Sequence, residues 1–272
     1  MKPPAFDYVR PDTVEEAIDV LAEQGEAARV LAGGQSLLAM LNLRLLQPAM
    51  LIDINRITEL SEIRETGGHV DVGAAVTQNR LLAWPGLKEK LPLLAAALPF
   101  VGHFQTRNKG TICGSVAHND PSSEIPLSLA MLQGEVVLRS RRGTRVLPAS
   151  EFQVGMLTTA RRPDELITAV RLPVQQARRV AFREVARRHG DFAIIAVGAI
   201  ADGDRVRLGV GGMAGRPSVR EFAADVDLTE AINGLAWELE GYEDQHASGR
   251  MRRDLLRRVA PAVIEEARQC AA

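Results

Sequence analysis

The chain has 272 residues, enough for one large domain or two to three smaller ones with real cores. Its 33 Lys and Arg residues nearly balance 34 Asp and Glu, so a net charge of −1 gives no global reason to expect nucleic acid or an anionic membrane as partner. With 46% hydrophobic and 25% charged residues the composition is that of an ordinary soluble globular protein, and two cysteines, Cys113 and Cys270, are too few for an iron–sulfur cluster or structural zinc built from this chain alone.

The first residues carry no apolar stretch of signal-peptide type, and no segment runs 18 residues without polar interruption, so a cytoplasmic protein with no membrane span is expected. Thr13-x-x-Glu16 is a capping box, and Val14, Ala17, Ile18, Leu21 and Ala22 form a helical stripe that stops near Gly25. Arg29-Val30-Leu31 reads as a short buried strand, followed by the turn Ala32-Gly33-Gly34-Gln35-Ser36, a helix ending before Pro48 and a strand over 50–54. This is a small β-α-β lobe with the glycine turn between strand and helix. From about residue 59 alternating strands mix with an Ala- and Leu-rich helix over 91–98. A second glycine turn, Thr111-Ile112-Cys113-Gly114-Ser115, follows, and Asp120-Pro121 can start the helix through Ile125, Leu127, Leu129 and Leu132. Strands over 136–140 and 166–172 complete this lobe. Beyond Pro173 come strand candidates over 180–185, 193–200 and 206–210, then helices over 229–240 and 251–270.

Either glycine turn alone reads as an ordinary loop. Together they point to one diphosphate held from two sides, because glycine reaches positive φ and lets a ligand approach main-chain N–H groups with no Cβ in the way. Ser36, Thr111 and Ser115 add hydroxyl donors. Gly209-Val210-Gly211-Gly212-Met213-Ala214 matches the G-x-G-x-x-A fingerprint, but a Rossmann turn must open a helix, and Pro217 follows too soon. It reads as the glycine-rich end of an antiparallel strand. The five histidines show no metal-ligand spacing, and His118-Asn119-Asp120 either shapes the phosphate site or caps the next helix. Arginine clusters over 139–145, 178–188 and 250–258 lack interleaved aromatics for base stacking and read as solvated faces or subunit contacts.

The stretches 31–37 and 106–121, with Gly190-Asp191-Phe192-Ala193 and the strand end at 208–212, resemble the FAD-binding medium subunit of the molybdenum hydroxylases, a family that includes carbon monoxide dehydrogenase and xanthine dehydrogenase flavoprotein subunits. The likeness spans essentially the whole chain. It implies an α+β fold: a two-lobed FAD-binding domain of the vanillyl-alcohol-oxidase (PCMH) type over 1–173, with lobes of about 1–58 and 59–173, and a C-terminal domain over 174–272 with a three-stranded antiparallel sheet plus helices. It implies that Leu31, Ala32, Gly33, Gly34, Gln35, Ser36 and Leu37 grip the FAD diphosphate from one side and Thr111, Ile112, Cys113, Gly114 and Ser115 from the other. Val101 takes the apolar position lining the cofactor, and Glu124 the acidic position at its ribose or adenine end. Asp120 and Thr168 join the cofactor-binding set, Arg183 stands where relatives carry a basic residue, and Asp191 and Phe192 approach the isoalloxazine ring.

Many relatives have histidine where this chain has Gln35, so FAD bound non-covalently is implied, and glycine where it has Cys113. The cysteine-rich loop of relatives that reduce hydroxybenzoyl-CoA is absent. The resemblance further implies a molybdenum-binding large subunit carrying molybdopterin, a small subunit carrying [2Fe-2S] clusters, and a dimer of such heterotrimers. No side chain of this chain acts as acid or base on the organic substrate under this reading.

Overall fold

The computed structural model describes residues 2–175, 179–223 and 225–269. Cys270 and Arg178 lie outside them. A small parallel sheet has the order β1 (Asp7–Val9), β3 (Met50–Asp53), β2 (Ala28–Leu31). Its first crossover is the helix Val14–Gln24, capped by the Thr13 hydroxyl, which accepts from the Glu16 amide, while the Glu16 carboxylate accepts from the Asp12 amide. The second crossover runs from β2 through residues 32–36 into the helix Leu37–Asn42. Such turns, at the carboxyl ends of parallel strands, are where α/β sheets present ligand sites.

A five-stranded antiparallel sheet follows, formed by β4 (Ile63–Thr66), β5 (His69–Gly73), β6 (Glu135–Ser140), β7 (Gly143–Pro148) and, after a two-stranded ribbon of β8 (Gln153–Gly155) and β9 (Thr158–Thr159), β10 (Leu166–Pro173). The spatial order is β4-β5-β10-β6-β7. Between β5 and β6 lie the helices Pro92–Ala97, Ile112–His118 and Glu124–Met131, which place the second glycine turn against the first.

The last sheet is an antiparallel meander, β11 (Arg179–Val185), β12 (Ile195–Asp202), β13 (Arg205–Gly211) and β14 (Ser218–Ala223). It has four strands where three were expected. The edge strand β14, Ser-Val-Arg-Glu-Phe-Ala, carries too little apolar alternation to stand out in sequence. Both faces of the sheet are covered, which explains the unbroken apolar run of β12. Ala181, Val197, Leu208 and Val210 pack under the helices Leu228–Glu238 and Gly249–Gln269, while Phe182, Ala196 and Ile200 join the core shared with the first two sheets.

The glycine-rich run is the end of a strand, and it opens no helix. Gly198 and Gly209 face each other across β12 and β13. A Cβ on Gly198 would lie 2.6 Å from the Met131 sulfur, and one on Gly209 would overlap the same side chain. The pair forms a notch that seats the helix Glu124–Met131 on the sheet, so these glycines serve packing. Among the described residues no helix is long and apolar enough to cross a membrane.

Candidate functional site

The two glycine turns meet. A Cβ on Gly33 would lie 2.7 Å from the Gly110 Cα and 2.8 Å from the Lys109 carbonyl carbon, and closer still to its oxygen, so only glycine lets the first turn rest on the chain that leads into the second. Asn55 donates to the Ala32 carbonyl (2.9 Å) and Gln35 to that of Gly33 (3.1 Å), which fixes the first turn from within. The second is fixed from β5's side: Gln78 N–H donates to the Gly110 carbonyl (2.8 Å) and Ile112 N–H to that of Val76 (3.2 Å). The Thr111 hydroxyl accepts from the Gly114 amide at 3.0 Å, leaving its own proton free to donate. A side chain at 114 would press on that hydroxyl.

A cavity of about 830 Å³ runs along this junction, toward the large end of ordinary ligand pockets (roughly 300–1,000 Å³). Its middle is lined by Ala32, Gly33, Gly34, Gln35, Ser36 and Leu37 from one side and Thr111, Cys113, Gly114 and Ser115 from the other. Val101, Gly102, Gly190, Asp191 and Phe192 line one end, and Glu26, Arg29, Arg161, Pro163 and Glu165 line the other. The segment after β11 reaches the first of these ends: Gly190 packs on Gly102 and His103, Arg187 pairs with Asp191 (3.4 Å), and Phe192 is 63% exposed at the mouth.

Five expected site residues do not line the cavity. Ile112 is wholly buried in the core beneath its turn. Leu31 packs beside Gly34 and Leu38. Asp120 turns back to accept from the Ser122 amide at 2.8 Å. A bulge in β10 between Ile167 and Ala169 gives Ile167 to the cavity and turns the Thr168 hydroxyl toward the Val137 carbonyl. Arg183 lies on the helix-facing side of β11 in an exposed pair with Glu266 (2.8 Å). Strand alternation sends its neighbour Glu184 the opposite way. His118 lines the cavity, whereas Asn119 ends its helix in the left-handed region and ties down the ribbon at the carbonyls of Gly155 (2.8 Å) and Thr158 (2.9 Å). Arg29, Gln78, Ile167 and Arg161 are lining residues that sequence reasoning missed.

Cys113 is inert: it is buried, its thiol donates to the Val72 carbonyl (3.4 Å), and burial pushes its pKa up to about 12. Glu124, first residue of its helix, is buried against Glu184. Burial raises the pKa of both carboxyls, and for Glu184 the neighbouring Glu124 adds to it. They bind protons more tightly in the folded chain than in the unfolded one. Their contribution to stability is therefore full below the ordinary carboxyl value of 4.5 and is lost as the pH rises through their elevated range. Thermal midpoints followed from about pH 6 to about pH 9 should fall, and Glu184→Gln should flatten that fall. An identical slope in the variant would remove the pair from the account.

The residues fit a dinucleotide with a central diphosphate. The middle of the cavity is a cradle of main-chain N–H groups and hydroxyls that added Cβ atoms would close, and the buried Gln78 Oε1, on the cavity wall, has no partner within the protein.

Residues 4–175 match the family model described as the FAD binding domain in molybdopterin dehydrogenase. The 6-hydroxypseudooxynicotine dehydrogenase complex subunit alpha of Paenarthrobacter nicotinovorans is 34% identical, covering 98% of this chain and 96% of its own. Among solved structures, carbon monoxide dehydrogenase from Hydrogenophaga pseudoflava superposes with a TM-score of 0.92 at 31% identity over 100% of both chains. Quinoline 2-oxidoreductase from Pseudomonas putida 86 does so with a TM-score of 0.90 at 33% identity over 99% of each. The chain belongs to the FAD-binding family of the molybdopterin dehydrogenases and has the α+β fold of the medium subunits of molybdenum hydroxylases.

Proposed function

We propose that this chain carries electrons between an iron–sulfur subunit and an external acceptor, within a dimer of heterotrimers whose large subunit holds the molybdenum centre, in the cytoplasm. Bound FAD would supply the redox chemistry that links single-electron transfer from a cluster to two-electron transfer to an acceptor. The observation that carries the reading is the junction of the two turns, Gly33 against Gly110, along the cavity.

In this reading the N–H groups of 32–36 and the hydroxyls of Ser36, Thr111 and Ser115 hold the diphosphate. Val101, Asp191 and Phe192 border the isoalloxazine at the open end, where an acceptor reaches it. Glu124 lines the cavity, its carboxyl pushed above the ordinary range by burial. Among the described residues no three His, Cys, Asp or Glu side chains are grouped to hold a metal. The domain boundary near 173 belongs to the same proposal: the matched family segment ends at 175, just before β11 opens the last sheet.

The isolated chain should bind FAD without being reduced by any substrate of a molybdenum hydroxylase, and addition of the molybdenum and iron–sulfur subunits should confer that reduction. Stopped-flow absorbance of the flavin reads both states. Substrate-driven bleaching by the isolated chain would identify a self-contained flavoenzyme instead.

A further inference from the structure

The end of the cavity lined by Glu26 and Pro163 carries two arginines that the diphosphate cradle does not employ. Arg29 lies on β2 three residues before Ala32, where the turn opens, so it stands roughly 10 Å back from the turn at about 3.3 Å per residue. Arg161 reaches the same place from the loop before β10, and the two guanidinium groups are electrostatic neighbours. Each is held along one edge by main-chain carbonyls. Arg29 Nη1 donates to those of Glu26 and Ala28 (both 2.8 Å), and Arg161 Nη1 to those of Arg162 (3.0 Å), Pro163 (3.4 Å) and Glu165 (2.7 Å).

Among the described residues neither has a carboxylate within 4.0 Å. The nearest acids are engaged elsewhere: Glu165 with Arg145 (2.7 Å) and Asp164 with Arg142 (2.8 Å). Glu26 also lines this end, where it meets Arg29 through its main-chain carbonyl. Two adjacent cations, one of them largely out of water, call for a partner rich in acceptors or π electrons. Apolar atoms of Val30, Met40 and Pro163 complete the walls. Apolar walls beside two guanidinium groups suit a purine, which offers ring nitrogens at its edge and a π face for stacking. The spacing agrees, since the purine of an extended dinucleotide lies on the order of 10 Å from its diphosphate, about the length of three strand residues.

We propose that Arg29 and Arg161 form the adenosine clamp of this chain, stacking on and donating to the purine and its ribose, and that this clamp makes the chain select a flavin dinucleotide over a mononucleotide. The proposal rests on the reading that the cavity holds FAD with its diphosphate on the two turns.

The test uses the full chain freed of flavin and titrated separately with FAD, FMN and ADP, with flavin fluorescence and calorimetry as readouts. The wild type should prefer FAD to FMN and bind ADP as a competitor of FAD. Arg161→Met and Arg29→Met should each lower FAD affinity at least tenfold and weaken ADP competition, with FMN affinity unchanged. Arg161→Lys should recover only part of the loss, because an ammonium lacks the stacking plane. Equal losses for FAD and FMN would mean general damage to the fold and would overturn the clamp, as would variants that keep the wild-type preference. A wild type that binds no flavin at all would overturn the functional reading, and the clamp with it.

Discussion

Gly33→Ala should strip the chain of FAD, while Gly234→Ala leaves binding intact and raises stability. At position 33 the first added carbon meets the Lys109 carbonyl and the Gly110 Cα, both main-chain atoms that cannot rotate away. One turn must then retreat from the other. Overpacking of this kind costs about 1–3 kcal/mol, and here the cost falls on the geometry that brings two sets of donors to one diphosphate. A lowering of FAD affinity by roughly ten- to a hundredfold is expected at about 1.4 kcal/mol per tenfold. Gly234 is in the helix Leu228–Glu238, and a Cβ there meets nothing within 4 Å. Alanine at that position should add up to about 1 kcal/mol through helix propensity. Flavin content after purification and a fluorescence titration measure the first effect, and thermal unfolding the second. Unchanged affinity in Gly33→Ala would show that the turns can part without consequence.

The parts of this site that sequence alone makes legible are those made by local chemistry. A strand, two glycines and a helix start lie within ten residues at 28–37, and the Thr111 cap with Gly114 lies within four. What escapes sequence reasoning depends on register or on distant segments. Thr168 and Ile167 exchange roles because a bulge shifts the pleat by one residue, which sequence periodicity cannot locate. Arg183 and Glu184 are adjacent, yet alternation sends one to the outer helix and the other to Glu124. Arg29 and Arg161 are brought together only by the closing of two sheets. Gly211 is also less innocent than a strand-end glycine implies. A Cβ there would lie 3.1 Å from the Pro121 carbonyl, so valine would press on the loop that leads to Glu124.

That loop is held from the C-terminal side by one buried cation, and Arg252→Met should cause the largest loss of stability of any single change considered. Arg252 is 1% exposed in the first turn of the described chain's last helix, Gly249–Gln269, and its guanidinium reaches three main-chain carbonyls, those of Ile194, Gly212 (2.7 Å) and Tyr242 (3.0 Å). It also pairs with Asp244 (2.6 Å) and lies 4.1 Å from the centre of the Tyr242 ring. From this hub two bonds continue to the cavity loop: Gly212 N–H donates to the Pro121 carbonyl (2.8 Å), and the Tyr242 and Ser122 hydroxyls meet at 3.1 Å. Methionine would fill the space yet leave the carbonyls and Asp244 without a donor. Breaking a buried charged network costs about 3–5 kcal/mol, which for a chain of this size lowers the melting temperature by roughly 6–20 °C. Lysine should rescue little, because one ammonium cannot span three carbonyls and a carboxylate as the planar fork does. Tyr242→Phe removes only the Ser122 contact and should cost no more than about 1.5 kcal/mol. Arg183→Met, at an exposed pair, should cost at most about 1 kcal/mol. Thermal unfolding of the four variants gives the ranking, and an Arg252→Met chain that melts with the wild type would show that the hub holds nothing in place.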